Sequence, residues 1–138
     1  MSYLLDTNII CELVNKNPQP EVTHWVNQIP AHALFLSVLT LGEIRKGVEK
    51  MSDQKRKQKI LLWLENELPE TFHNRVLPIS REIADRWGRL QYLAKRPLPA
   101  VDSLLAATAL HHDMTLVTRN TKDFQGLGLE IINPWKKN

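Results

Sequence analysis

The chain of 138 residues is long enough for one domain with a full core, and 43% hydrophobic with 24% charged residues is ordinary for a globular protein. Its single cysteine, Cys11, excludes an internal disulfide framework, and no apolar run reaches the length of a membrane span. Asp6 and Glu12 interrupt the first apolar stretch, which excludes a signal peptide. We therefore expect a cytoplasmic protein without a membrane partner, with Cys11 in its core. A net charge of +3 permits nucleic-acid binding without requiring it.

The first half of the chain alternates strand and helix patterns. In chain order it predicts a strand at Tyr3–Leu5, a helix over 8–14, a helix from Pro20 to about Ile29, a strand over 34–36, and a helix that contains Glu43 and ends near residues 50–52. Asp53 is predicted to cap a further helix, which Pro69 is expected to stop.

The second half continues the alternation. In chain order it predicts a strand at Val76–Leu77, a helix capped by Ser80, an apolar and therefore buried helix over 102–112, a strand over 115–118, and a last strand over 130–132. Gly126 and Gly128 mark the turn before the last strand. Alternating strands and helices predict an α/β fold, a parallel sheet covered on both sides, in a single domain that spans residues 1–138.

Four acidic residues each lie where an apolar segment meets a turn or a helix start: Asp6, Glu43, Asp102 and Asp123. Ligands of open α/β sheets usually bind where the strands end. Carboxylates that converge there repel one another unless a divalent cation lies among them, and Mg²⁺ or Mn²⁺ prefers oxygen ligands. The pattern predicts a metal-dependent enzyme that cleaves phosphodiesters.

Helix capping is an alternative interpretation of each acid. Asp6 and Asp102 both suit the N-cap of a following helix, and Thr40 with Glu43 matches a capping box. Asn120 with Asp123 resembles a cap or an Asx-turn. Taken one at a time, the four positions are explained better by capping than by catalysis.

The segments around these acids resemble the PIN domain, and more narrowly the VapC toxins of bacterial type II toxin–antitoxin modules, close to the FitB-like branch. The matching segments are Leu4-Leu5-Asp6-Thr7-Asn8, residues 37–47, 102–109 and 117–124, and Asn133-Pro134-Trp135. The resemblance implies a three-layer α/β/α fold with about four to five strands in a small, mainly parallel sheet flanked by helices. It also implies a metal-dependent endoribonuclease that a cognate antitoxin neutralises.

The resemblance also implies roles for individual residues. Asp6, Glu43 and Asp102 match the three core acids of the family, and Asp123 is the acid available at its less uniform fourth position. Asn120 is a neutral alternative there. Two hydroxyl positions that line such sites are matched by Thr7 and Thr118, for which capping is an equally good explanation.

The expected mechanism is in-line attack on a phosphodiester by a metal-activated water. Asp6 and Asp102 are expected to bind the metal directly, Glu43 to bind metal or hold the attacking water, and Asp123 to complete a second, weaker metal site. Mg²⁺ is the expected cofactor, with Mn²⁺ possible. The products would carry a 5′-phosphate and a 3′-hydroxyl, because the nucleophile is water and not the neighbouring 2′-OH.

A basic rim is expected around an acidic pocket that admits phosphates. Arg45 and Arg119, with Lys46 and Lys122, are the nearest candidates, and a looser group extends them: Arg81, Arg86, Arg89 and the run 55–59. Each of these can equally be a solvated helix face. The four tryptophans can include a base-stacking residue: Trp25, Trp63, Trp87 and Trp135. Trp87 is predicted to be core, and Trp63 to suit a protein interface.

Two other functions remain open from the sequence. One is a nuclease that acts on DNA or in RNA processing without toxin behaviour, and the other is a non-catalytic nucleic-acid or partner-binding module whose acids only cap helices. The resemblance implies that the C-terminal segment of an antitoxin lies across the groove beside the acids, where its Arg or Lys pairs with them. It further implies a homodimer, a toxin–antitoxin hetero-oligomer, and operator DNA bound mainly through the antitoxin.

Overall fold

A computed structural model of the protein describes residues 1–136 and contains one five-stranded sheet. Its strands are β1 (Tyr3–Leu5), β2 (Leu34–Ser37), β3 (Val76–Leu77), β4 (Thr115–Val117) and β5 (Ile131–Ile132). The strand order is β3-β2-β1-β4-β5, and every neighbouring pair is parallel. The predicted parallel sheet is confirmed.

Helices connect the strands from β1 to β4, and a 3₁₀ turn lies between β4 and β5. They are α1 (Thr7–Leu13), α2 (Pro20–Gln28), α3 (Val38–Glu49), α4 (Gln54–Leu62), α5 (Leu68–Thr71), α6 (Arg81–Leu93) and α7 (Ala100–His111). Short 3₁₀ turns occupy Ala31–Ala33 and Thr121–Phe124, and a π-helical turn occupies Trp63–Glu67. Among residues 1–136, no helix is long and apolar enough to cross a membrane.

The alternation of side chains along the strands divides the core into two layers. Leu5 and Val117 pack on one face of the sheet with α1, α2 and α3. Leu4 and Leu116 pack on the other face with Leu105 of α7. The predicted three-layer α/β/α arrangement is therefore confirmed, with α6 packed against α7.

The observed starts of α3 and α7 exclude two of the helix-capping alternatives. Ser37 caps α3 by accepting a hydrogen bond from the Leu39 amide at 3.1 Å, so the capping box expected from Thr40 and Glu43 is wrong: both residues lie inside that helix. Asp102 is not an N-cap either, because α7 begins earlier and Asp102 lies in its first turn. Helix capping therefore does not account for Glu43 or Asp102.

Pro69 does not stop the helix that follows Asp53. The helical path passes from α4 through the π turn Trp63–Glu67 into α5, where Pro69 occupies the first turn. A proline is tolerated there because the first turn of a helix does not use its amide hydrogens. The π turn adds one residue to the helix, which shifts the pattern of backbone hydrogen bonds just before Pro69.

Two further expectations about burial need correction. Cys11 is exposed and not core, because Ile9 and Ile10 supply the buried side of the short helix α1. Trp63 is half-buried and packs partly against the core, and its role at a protein interface stays a prediction. Trp87 is only half-buried, and its indole nitrogen donates to Ser103 Oγ at 2.9 Å.

Candidate active site

The site is built around Asp6 at the topological switch point of the sheet. β1 pairs with β2 on one side and with β4 on the other, so the connections from the ends of β1 and β4 diverge there. Asp6 directly follows β1 and is only 6% exposed. Its Oδ1 accepts the Thr7 amide at 2.7 Å, and its Oδ2 accepts the hydroxyl of the fully buried Thr118 at 2.8 Å. Asp6 is thus both a helix cap and a fixed carboxylate.

Asn8 ties the two strand ends together, a role that the sequence did not suggest. Its Nδ2 lies 3.4 Å from both Asp6 Oδ2 and Thr118 Oγ1, and its Oδ1 accepts the Arg119 amide at 3.3 Å. Asn8 is part of the Leu4-Leu5-Asp6-Thr7-Asn8 segment, but a single sequence gives no signal that its amide bridges to residues 110 positions away.

Glu43 reaches the site from the exposed side of α3. The hydroxyl of Thr7 donates to Glu43 Oε1 at 2.5 Å, and Thr40 Oγ1 lies 3.4 Å from the same hydroxyl oxygen. Hydrogen bonds that a carboxylate accepts are strong and directional. Thr7 therefore links the start of α1 to the carboxylate on α3 and fixes the direction in which Glu43 points.

On the expectation that Glu43 binds metal or holds the attacking water of an RNA-cleaving enzyme, replacing Thr7 by Val should lower kcat/KM about tenfold, the usual minimum for a lost supporting partner at a metal site. The reason is that Glu43 would lose the donor that orients it. Thr7→Ser, which keeps the hydroxyl, is the matched control and should stay near wild type. Equal activity of the Val and Ser variants, measured with purified protein on one RNA substrate, would exclude this role for Thr7.

The negative charges of the other three candidate acids act on the Asp102 carboxyl. Burial first, and then the negative charges of Asp6, Asp123 and Glu43, raise the pKa of Asp102 from 3.8 to about 6. Burial also raises the pKa of Asp6, against the opposing effect of the hydrogen bonds from Thr118 and Thr7, and the charge of Glu43 adds to that rise. The fold therefore brings four acids from four separate segments into one electrostatic neighbourhood.

Asp123 lies at the rim of this neighbourhood. It is exposed in the 3₁₀ turn Thr121–Phe124, whose position is held by Arg96. The Arg96 guanidinium donates to the carbonyl of Asp123 at 3.2 Å and to that of Gln125 at 2.8 Å. The Asn120 amide donates to Thr118 Oγ1 at 3.0 Å, and its side chain makes no capping bond. The choice between Asp123 and Asn120 for the fourth position stays a prediction.

The donor set fits a hard divalent cation. The groups that face one another are carboxylate and hydroxyl oxygens, the ligands that Mg²⁺ and Mn²⁺ prefer. Within residues 1–136, however, no three His, Cys, Asp or Glu side chains are close enough to form a ready-made ligand cluster.

Two arginines of the predicted basic rim are paired with acidic side chains. Arg45 is paired with Glu65 at 3.0 Å and lies 3.9 Å from Glu49, and Arg89 is paired with Asp85 at 2.6 Å. Arg119 is exposed beside the acids, and its guanidinium carbon lies 5.2 Å from the centroid of the Trp135 ring. Arg119 is therefore better placed than Arg45 to meet a polyanion.

Residues 3–128 match the PIN domain, and the chain belongs to that family. It is 32% identical over 135 residues to the toxin FitB of Neisseria gonorrhoeae, with 96% of this chain and 97% of that protein covered. It is 35% identical over 136 residues to a VapC ribonuclease of Sinorhizobium fredii, with 96% and 97% covered.

Solved structures agree with this assignment. The structure of FitAcB from Neisseria gonorrhoeae superposes with a TM-score of 0.92 at 31% identity and covers 98% of this chain and 99% of that one. A toxin–antitoxin complex from Klebsiella pneumoniae has a TM-score of 0.73 at 30% identity, covering 99% and 100%. VapBC2 from Rickettsia felis, bound to a DNA fragment from its promoter, has a TM-score of 0.75 at 26% identity, covering 96% and 98%.

Proposed function

We propose that the protein is a metal-dependent endoribonuclease and the toxin of a type II toxin–antitoxin module. The observation that carries the proposal is the shared electrostatic neighbourhood of Asp6, Glu43, Asp102 and Asp123 at the switch point of a PIN fold. The nearby carboxylates raise the pKa of Asp102, and Glu43 adds to the rise at Asp6, which is a costly arrangement unless a cation is to be bound there. The names of the similar proteins, a ribonuclease and a toxin, support RNA as substrate.

The cofactor in this proposal is Mg²⁺, with Mn²⁺ as an alternative that the same oxygen ligands accept. When bound, it would neutralise the charge that develops on the phosphate and lower the pKa of water. Asp6 and Asp102 would hold it. Glu43, oriented by Thr7, would accept the proton of the attacking water, and Asp123 would hold a second cation at the rim.

Thr118 has a separate task in the proposed reaction. Its hydroxyl donates to Asp6 Oδ2 and accepts from the Asn120 amide and from Asn8 Nδ2, so all its hydrogen-bonding capacity holds the β4 end against Asp6. It therefore keeps the Asp6 carboxylate fixed rather than touching the substrate. Arg119, next in the chain and exposed, is the residue that would contact the RNA strand beside the acids.

The partner in this proposal is a cognate antitoxin, with operator DNA bound mainly through it. The similar complexes from Klebsiella pneumoniae and Rickettsia felis support both parts. Homodimerisation is also proposed, and the strongly exposed side chains of Tyr92 and Leu93 on α6 offer an apolar contact surface. A cytoplasmic location follows from the proposed RNA substrate and antitoxin.

The test compares RNA with DNA and metal with chelator. Antitoxin-free protein is incubated with RNA and DNA strands of one sequence, with Mg²⁺, with Mn²⁺ and with EDTA. Cleavage of RNA alone, stopped by EDTA and by added antitoxin, is the expected result. Cleavage of DNA at a similar rate would favour a general nuclease, because hydrolysis by water does not require the 2′-OH. No cleavage, together with no divalent-ion binding by calorimetry, would leave a binding module.

A further inference from the structure

A polar cleft adjoins the candidate active site on the side of the C-terminal segment. It has a volume of about 620 Å³, and α1, the start of α2 and residues 119 and 133–136 form its walls. The indole nitrogen of Trp135 donates to Glu12 Oε1 at 3.3 Å, and the Arg119 guanidinium covers the indole ring. The half-buried Trp135 also packs against the core, so its ring is a fixed platform beneath a surface arginine.

The same face of α1 connects this cleft to the acids. Asn8 and Glu12 are four residues apart and therefore neighbours on one helix face. Asn8 contacts Asp6 Oδ2 and the Arg119 amide, whereas Glu12 contacts Trp135. One helical turn of about 6 Å thus separates the two contacts, so a strand whose phosphate is at Asp6 would place a neighbouring nucleotide in the cleft.

We propose that this cleft binds one unpaired RNA base next to the scissile phosphate, stacked on the Arg119 guanidinium that Trp135 supports from below. The inference rests on the proposed ribonuclease function and adds a base-binding subsite to it. The guanidinium carbon lies 5.2 Å from the centroid of the indole ring, and Arg119 is exposed, so its guanidinium is accessible to a base. Unpaired bases stack on aromatic rings and on arginine planes in many RNA-binding proteins.

The charges of the cleft favour a base over a phosphate. Its lining holds two acidic residues, Glu12 and Glu21, and two basic residues, Arg119 and Lys136, so the charges balance and give no net attraction for a phosphate. The two carboxylates and the amide of Gln19 can instead meet the donors and acceptors on a base edge. The cleft therefore suits a neutral ring, while Arg119 contacts that ring face-on.

The test uses an RNA oligonucleotide with a mapped cleavage site and a set of copies in which one ribose at a time lacks its base. Wild-type protein, Arg119→Lys and Trp135→Leu are compared by cleavage kinetics and by fluorescence anisotropy in EDTA. Arg119→Lys keeps the positive charge and removes the planar surface. Trp63→Phe, which removes an indole elsewhere, is the control, and thermal melting checks that every variant folds.

For wild type and Trp63→Phe, loss of the base at one position beside the cleavage site should weaken binding and raise KM about tenfold or more, with little change in kcat. Arg119→Lys and Trp135→Leu should bind the intact strand as weakly as wild type binds that abasic strand. Removing the base should weaken binding by these two variants little further.

Equal binding of all strands by wild type, or a further loss of binding when the variants meet the abasic strand, would overturn the subsite. So would variants that lose antitoxin affinity alone, since the cleft would then serve the antitoxin. Base-dependent binding without cleavage would keep the subsite and reject the ribonuclease.

Discussion

Asp6→Asn and Asp102→Asn should each lower kcat/KM for RNA cleavage by at least about a hundredfold at saturating Mg²⁺, because each removes one charged ligand from the acidic neighbourhood. Asparagine keeps an oxygen of the same reach. At Asp6 it also keeps an acceptor for the Thr7 amide, and asparagine is among the best N-cap residues. At position 6 the new NH2 replaces the oxygen that accepts the Thr118 hydroxyl, so some stability is also lost there, and thermal melting in EDTA separates that loss from the effect of the missing charge.

Asp113→Asn is the matched control for this prediction. Asp113 is exposed just beyond the C-terminal end of α7, whereas Asp102 lies in the first turn of that helix. Its φ of 54° is in the left-handed region, which asparagine tolerates. This control should cleave RNA at the wild-type rate. If Asp102→Asn retained activity within about threefold of that control, Asp102 would not be a ligand of the catalytic metal.

Mg²⁺ should raise the melting temperature of the wild-type protein at pH 7.5 and much less at pH 5. Asp102 titrates near pH 6 in the folded protein and near its ordinary value of 3.8 when unfolded, so the folded state binds its proton more tightly. Without metal, the stability contributed by this group is present below pH 3.8 and is lost as the pH rises through about 6. Above pH 6 the ionised carboxylate is unfavourable until a cation neutralises it.

At a free concentration about 100 times its dissociation constant, Mg²⁺ should stabilise the fold by about 2.7 kcal/mol, or roughly 8 °C for a chain of this size. Asp102→Asn should melt a few degrees higher than wild type in EDTA at pH 7.5, and should show most of that advantage lost at pH 5. Differential scanning fluorimetry across pH 5–8 measures both effects. A wild-type melting temperature independent of Mg²⁺ at pH 7.5 would contradict the proposed metal centre.

The order of strands and helices could be predicted from the sequence because hydrophobic runs and turn residues are local signals. The bounds of β1 and β3 were predicted correctly, and Ser80 caps α6 through the Ile83 amide as expected. The helix end predicted at Pro69 was wrong, because a proline ends a helix only where the helix needs a hydrogen bond from the amide hydrogen that proline lacks. The π turn that removes this requirement has no local sequence signal.

Less of the candidate site than of the fold could be predicted from the sequence. The acids could be proposed because each was predicted near the boundary of an apolar segment, although Glu43 lies inside α3, but the influence of their charges on one another is a property of the assembled sheet. The bridge from Asn8 to Thr118 and the bond from Thr7 to Glu43 join residues far apart in the chain. Cys11 was misplaced for a related reason: in a helix of seven residues, tertiary packing and not periodicity decides which side is buried.

Both oxygens of Asp6 accept hydrogen bonds that hold the fold together, and the same carboxylate belongs to the proposed metal site. This double use affects how the protein can lose its activity in evolution. Where loss of the activity is an advantage, the exposed Glu43 can be replaced with little loss of stability. The folded protein would then remain available to bind other molecules. At position 6, most replacements would also remove the cap of α1 and the tether to Thr118. Silenced yet folded descendants should therefore have changed at position 43 far more often than at position 6.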